Sequence, residues 1–142
     1  MQTSNEHMIH TIKSIKVWIT PFSTEADKFI AIMSSLPFLR DCSKHFSIEE
    51  ASCLIAILFP TKTKTIYTNR SSYSFKHLLE SVSMAVNYET TGHTKYCSNQ
   101  TAIQAFEAND FRCVGRDINK RMNLSAKEVE RAYHLFGYRY PC

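Results

Sequence analysis

Glycine and proline are scarce in this chain, at 3 and 4 of its 142 residues. A sandwich or barrel needs turn chemistry every roughly 8–12 residues, so this scarcity points to helices joined by a few strands. No long apolar run is present either. The longest, Cys53 to Phe59, falls far short of the roughly 20 residues that cross a bilayer. The opening stretch MQTSNEHMIHTIKSIKVWIT holds neither a continuous apolar core nor the small-residue cleavage site of a secretion signal. Cysteine is present in an odd number, at 42, 53, 97, 113 and 142, with no Cys-x-x-Cys pair. A disulfide framework is therefore not expected, and a reducing cytoplasm without membrane contact is.

Catalytic signatures are missing too. The chain has no P-loop, HExxH, GxSxG or GxGxxG. Asp27, Glu49, Glu50 and Glu80 fall at helix starts or on exposed faces, and His77 lies beside apolar helical positions. These residues suit capping and solubility, so a non-enzymatic protein with no cofactor is expected. Cys42-x-x-His45 and His93-x-x-x-Cys97 have ligand-like spacing. They lie far apart in elements of different character and lack a Gly-rich knuckle, which reads as packing and not as a metal site.

What the chain does have is an ordinary globular composition, 44% hydrophobic and 21% charged, and an uneven charge. Its formal net charge is +4. From Phe111 onward, seven basic residues (Arg112, Arg116, Lys120, Arg121, Lys127, Arg131, Arg139) face three acids (Asp117, Glu128, Glu130), so that segment carries the whole excess.

Periodicity divides the rest. Residues 12–20 and 61–69 are β-branched and partly alternating, which predicts two short strands able to pair. Thr24 with Asp27, and Ser47 with Glu50, resemble capping boxes. The first opens a helix up to Pro37, and the second a broadly apolar, central helix up to Pro60. Ser72 or Ser74 opens a third helix through Phe75, Leu78, Leu79, Val82, Ala85 and Val86. The polar stretch ETTGHTKYCSNQ then reads as a linker. Three more helices are expected, over about 100–109, 114–122 and from Ser125 to Phe136, where Gly137 supplies the C-cap.

The stretch RDINKRMNLSAKEVERAYHLFGY has the layout of a helix-turn-helix. Ile118 and Met122 line the first helix, Leu124 plugs the turn, and Val129 with Ala132 packs the second. Asn123 takes the turn position, since asparagine tolerates positive φ. The pattern DI..R.NLS...V.RA...FGY resembles the helix-turn-helix of LacI-type bacterial repressors and, less closely, the C-terminal unit of Fis-type proteins. Asn119 departs from it, standing where those families favour Ala or Gly. The resemblance spans about 25 residues and implies duplex DNA as partner. Recognition positions would be Ser125, Ala126, Lys127, Glu130, Arg131 and His134. Arg116, with Arg112 and Lys120, would hold phosphates, and Glu128 is read as a cap of its own helix.

The expected architecture is thus mainly α (α+β). A helical module with one or two short strands, residues 1–95, serves dimerisation or regulation, and a tri-helical DNA-binding segment, 96–142, follows. The expected function is a small, cytoplasmic, bacterial transcription regulator binding double-stranded DNA as a homodimer or with a partner protein. The alternative is a phage- or plasmid-type inhibitor or secretion chaperone in which the C-terminal hairpin is structural. The aromatic cluster Tyr133, Phe136, Tyr138 and Tyr140 reads as core packing ahead of a base-stacking surface.

Overall fold

The computed structural model describes residues 23–87 and 91–137. The strand expected at 12–20, Tyr138, Arg139 and Tyr140 lie outside them. The chain is mainly helical, with one small antiparallel sheet. In order come α1 (Ser23–Ser34), a 3₁₀ turn (Pro37–Arg40), α2 (Ile48–Leu58), α3 (Ser72–Asn87), α4 (Asn99–Ala108), β1 (Cys113–Val114), β2 (Arg121–Met122) and α5 (Ala126–Phe136). No described helix is long and apolar enough to cross a membrane.

The helices follow their local signals. Ser47 Oγ accepts from Glu50 N at 3.1 Å and Glu50 Oε1 accepts from Ser47 N at 3.0 Å, so the expected capping box opens α2. Such a cap contributes about 1 kcal/mol by satisfying backbone donors that a helix start leaves without partners. α2 then buries Ala51, Leu54, Ile55 and Leu58. Along α3 the buried Phe75, Leu78, Leu79, Val82 and Val86 repeat at three- and four-residue steps, one stripe of a 3.6-residue helix. Beyond α3, Gly92 takes φ +68 and its N–H donates to Asn87 O at 2.8 Å, a left-handed turn that glycine adopts without strain.

One apolar core joins these elements, running from Phe29 to Phe136. At its centre rings meet edge to face: Phe59 on Phe75 at 5.6 Å, Phe75 on Phe106 at 5.5 Å, and Phe106 on Phe111 at 5.5 Å. Each such pair adds about 0.5–1.5 kcal/mol beyond the area it buries. The rings belong to the end of α2, to α3, to α4 and to the chain entering β1. Residues on both sides of the expected boundary at 95/96 therefore share one core.

Three expectations need correction. The linker expected around residues 89–100 is packed over its second half. Lys95 is 1% exposed and Cys97 is 0% exposed. Their backbone N–H groups donate to Ser83 Oγ (2.8 Å) and Glu80 Oε2 (3.0 Å) on α3, while Tyr96 O accepts from Phe46 N at 2.8 Å. The Lys95 ammonium donates to Asp41 O at 2.7 Å and lies 3.7 Å from Glu50 Oε1. Polar composition signalled a linker, but these polar groups are the ones that tie the segment down.

Residues 61–69 form no regular strand. They run as an extended strap along the far side of the hairpin, with one bridge, Lys62 to Leu124, and bonds from Thr63 N to Asn123 O and Tyr67 N to Met122 O.

The helix expected over 114–122 is a β-hairpin, with Cys113 opposite Met122 and Val114 opposite Arg121. Gly115 at φ +148 lies in a region almost closed to other residues, and a Cβ there would stand 2.9 Å from Asn119 O. Asp117 Oδ1 accepts from Asn119 N at 2.9 Å and closes the turn. Met122 is fully buried as expected, but Ile118, placed inside the motif by sequence, is 77% exposed. The helix-turn-helix pairing therefore lacks its first helix, and α5 packs as a single helix through Val129, Ala132, Leu135 and Phe136.

Candidate nucleic-acid interface

The hairpin and the strap make one layer over the helical body. Ser72 N donates to Lys120 O at 2.7 Å, and Lys120 N returns a bond to Ser72 Oγ at 3.0 Å. Asn123 clasps both segments. Its Oδ1 accepts from Arg112 N at 2.7 Å and its Nδ2 donates to Thr63 O at 3.0 Å. Below, Glu128 Oε1 accepts from Thr61 N at 3.0 Å. That carboxylate, expected as a cap of its own helix, ties α5 to the strap. The cap is Ser125, whose side chain accepts from Glu128 N.

Basic side chains collect in this layer. Lys62, Lys64 and Arg70 stand on 61–71 with no acid among them, and Arg112, Arg116, Lys120 and Arg121 stand on 111–124 against Asp117 alone. Seven positive and one negative group leave these two segments at +6, more than the +4 of the whole chain. All seven except the half-buried Lys120 are exposed. Asp110 and Glu107 border the layer, and Asp117 is turned to its own loop.

Several of these cations are fixed across the seam. Arg112 Nη2 donates to Lys64 O at 3.1 Å and Arg121 Nε to Thr68 O at 3.1 Å, while Lys120 Nζ donates to Gly115 O at 2.7 Å within the hairpin itself. Lys62 Nζ lies 4.8 Å from the Phe111 ring, and the Arg70 guanidinium 3.6 Å from that of Tyr133. Tyr133 donates to or accepts from Ser74 Oγ at 2.6 Å, and burial pushes its phenol up against the pull of Ser74 and Arg70. Beneath the sheet, burial first and Glu107 second push the Cys113 thiol up to about 11.

The positions expected to bind DNA thus separate into two groups. Arg112, Arg116 and Lys120 come together in the layer with Arg121, counted in the same basic segment but not among the expected DNA contacts, and with three residues that sequence had not joined to them: Lys62, Lys64 and Arg70. The signal for the strap lysines was the alternation TKTKT, which puts Lys62 and Lys64 on one side of an extended chain. On α5, Ala126, Lys127 and Glu130 are exposed, Ser125 is occupied as the N-cap, and His134 is half-buried. Arg131, expected to face outward, instead lies 4.8 Å over the Phe29 ring and donates to Leu58 O at 3.4 Å. It fastens α5 to α1 and α2.

Among the described residues no three His, Cys, Asp or Glu side chains are grouped to hold a metal ion. Burial, then Glu80, pushes the Cys97 thiol up to about 12, which opposes the thiolate that a metal would need. Glu80 is engaged with Cys97 N, Lys76 and His77. No protein-family model, curated protein or solved structure matches this chain.

Proposed function

We propose that this chain is a non-enzymatic protein that binds double-stranded DNA, gripping the phosphate backbone with the hairpin–strap layer. The observation carrying this reading is the pooling of seven cations against one acid on two segments that are remote in sequence and joined by backbone hydrogen bonds. Cations fixed at a seam lose little freedom on meeting phosphate, and each one that replaces a condensed counterion gains from its release. A helix-turn-helix version needs a helix over 114–122, where the hairpin stands, so base reading by α5 is not part of the proposal. Lys127 at the start of that helix is a further phosphate contact.

Fluorescence anisotropy of a labelled duplex across a salt series tests this. The wild type should bind with log K falling steeply against log salt. Lys62→Ala with Lys64→Ala should weaken binding and flatten the slope by about 2, roughly one for each phosphate left without its lysine. Arg131→Ala should leave the slope unchanged. Wild-type binding that ignores salt would sink the reading, and so would an unchanged slope in the strap variant.

A second reading, a protein-interaction module with a structural C-terminal unit, has one observation in its favour. α5 is committed to the core, with Arg131 itself engaged by Phe29 and Leu58. It predicts no duplex binding at low salt.

A further inference from the structure

Ile118 is the most exposed large apolar side chain among the described residues, at 77%, with Tyr73 next at 53%. A lone exposed isoleucine on a mobile loop means little. This one stands on a loop held from three sides. Its carbonyl accepts from Asn99 Nδ2 at 2.9 Å, and the same amide reaches Asn119 Oδ1 at 3.3 Å. Asp117 Oδ1 holds Asn119 N, and Lys120 Nζ holds Gly115 O. The backbone at the tip is thus fixed to the N-terminus of α4 while its β-branched side chain is held away from the core. Exposed Arg116 lies two residues before it, and half-buried Lys120 two residues after.

We infer that this tip is a wedge. Resting on the DNA-binding reading above, the layer holds the phosphates while Ile118 enters between two base pairs from the minor groove, unstacks them and kinks the duplex. Its neighbours fit that place. Arg116 and Lys120 flank the apolar group with positive charge, as a groove walled by phosphates demands, and the one local carboxylate is turned to Asn119 N. Apolar wedges on a cationic scaffold bend DNA by about 20–90°. The cost of unstacking is low at pyrimidine–purine steps and at mismatched bases. The ligand class is therefore duplex DNA that is kinked or easily kinked, and a duplex with one mismatch should bind about tenfold or more tighter than its paired counterpart.

The test combines three readouts on the full chain: anisotropy for affinity and salt slope, energy transfer between end-labelled dyes for bending, and 2-aminopurine fluorescence for unstacking. The wild type should shorten the end-to-end distance and brighten one 2-aminopurine position. Ile118→Ser should keep the salt slope but lose the bend, the brightening and the mismatch preference, and Ile118→Leu should restore them. Steep, salt-dependent binding to a duplex that stays straight would overturn the wedge and leave the backbone-binding reading intact. Equal bending by Ile118→Ser would also overturn it, as would a loss of self-association in that variant without any change in bending. A wild type that binds no duplex at low salt overturns both.

Discussion

In the helical body, Phe59, Phe75 and Phe106 meet ring to ring away from water. In the hairpin–strap layer, segments 48 to 62 residues apart are joined mainly by backbone bonds and by side chains that reach backbone atoms. The body draws its cohesion from burial, which scales with area and is lost cooperatively when a ring is removed. The layer reaches the apolar core through Phe111, Met122 and Leu124, but its two segments hold one another mainly through hydrogen bonds nearer solvent, each with a small net contribution because water can replace the partner. One region is built to persist, and the other to present charge at a small local cost.

The largest test of that difference is Phe106→Ala. It should cost about 3–5 kcal/mol through lost burial and an unfilled cavity, read as a lower denaturant midpoint with body and layer unfolding together. Gly115→Ala comes next, at about 1–3 kcal/mol, because alanine disfavours φ +148 and its methyl meets Asn119 O. Its mark should be faster hydrogen exchange in 113–124, with the exchange of α2 and α3 nearly unchanged. Asn123→Ala should cost about 1 kcal/mol, again confined to the layer. If either layer variant lowers the protection of α2 as much as Phe106→Ala does, the division between the two regions fails.

A fourth and smaller effect is set by pH. The Cys97 thiol in the body is pushed up to about 12 and the Cys113 thiol in the layer to about 11, both from an ordinary 9.0. A raised folded-state value means that the stability linked to these thiols is complete below pH 9 and falls as pH climbs from there toward those values, since the unfolded chain ionises first. Neither thiol reacts readily at pH 8 in the folded state. Labelling with a maleimide should still reach Cys113 sooner than Cys97, because local opening of the layer precedes global unfolding. Cys97 labelling first would reverse the order assigned to the two regions.

The body was largely legible in the sequence. The Ser47–Glu50 box, the stripe from Phe75 to Val86, and Ser125 ahead of Val129, Ala132 and Phe136 are local patterns, and a helix closes its bonds within four residues. The layer was not. Residues 114–122 carry apolar groups at helical spacing, Val114, Ile118 and Met122, and the strongest contrary signal was Gly115 followed by Asp117 and Asn119. The strap makes no backbone–backbone bond within itself and the hairpin's outer edge is open. The bonds from Thr63 and Tyr67 of the strap and from Ser72 of α3 to the carbonyls of Asn123, Met122 and Lys120 fill that edge and favour the extended form. The resemblance at 112–138 captured composition and the second helix, but not the partner that turns its first half into strands.

The sequence by itself determined where the five helices of the described residues lie, and that positive charge is concentrated toward the C-terminal side, although its periodicity also pointed to a helix over 114–122. These follow from caps, period and composition, all of which act within a few residues. Only the tertiary structure decided that 113–122 is a hairpin, that Arg131 faces the core, that Lys62, Lys64 and Arg70 join the C-terminal cations, and that Ile118 stands out at the tip. Each depends on a contact between residues distant in the chain, and backbone hydrogen bonds between such residues leave no periodic mark in either one.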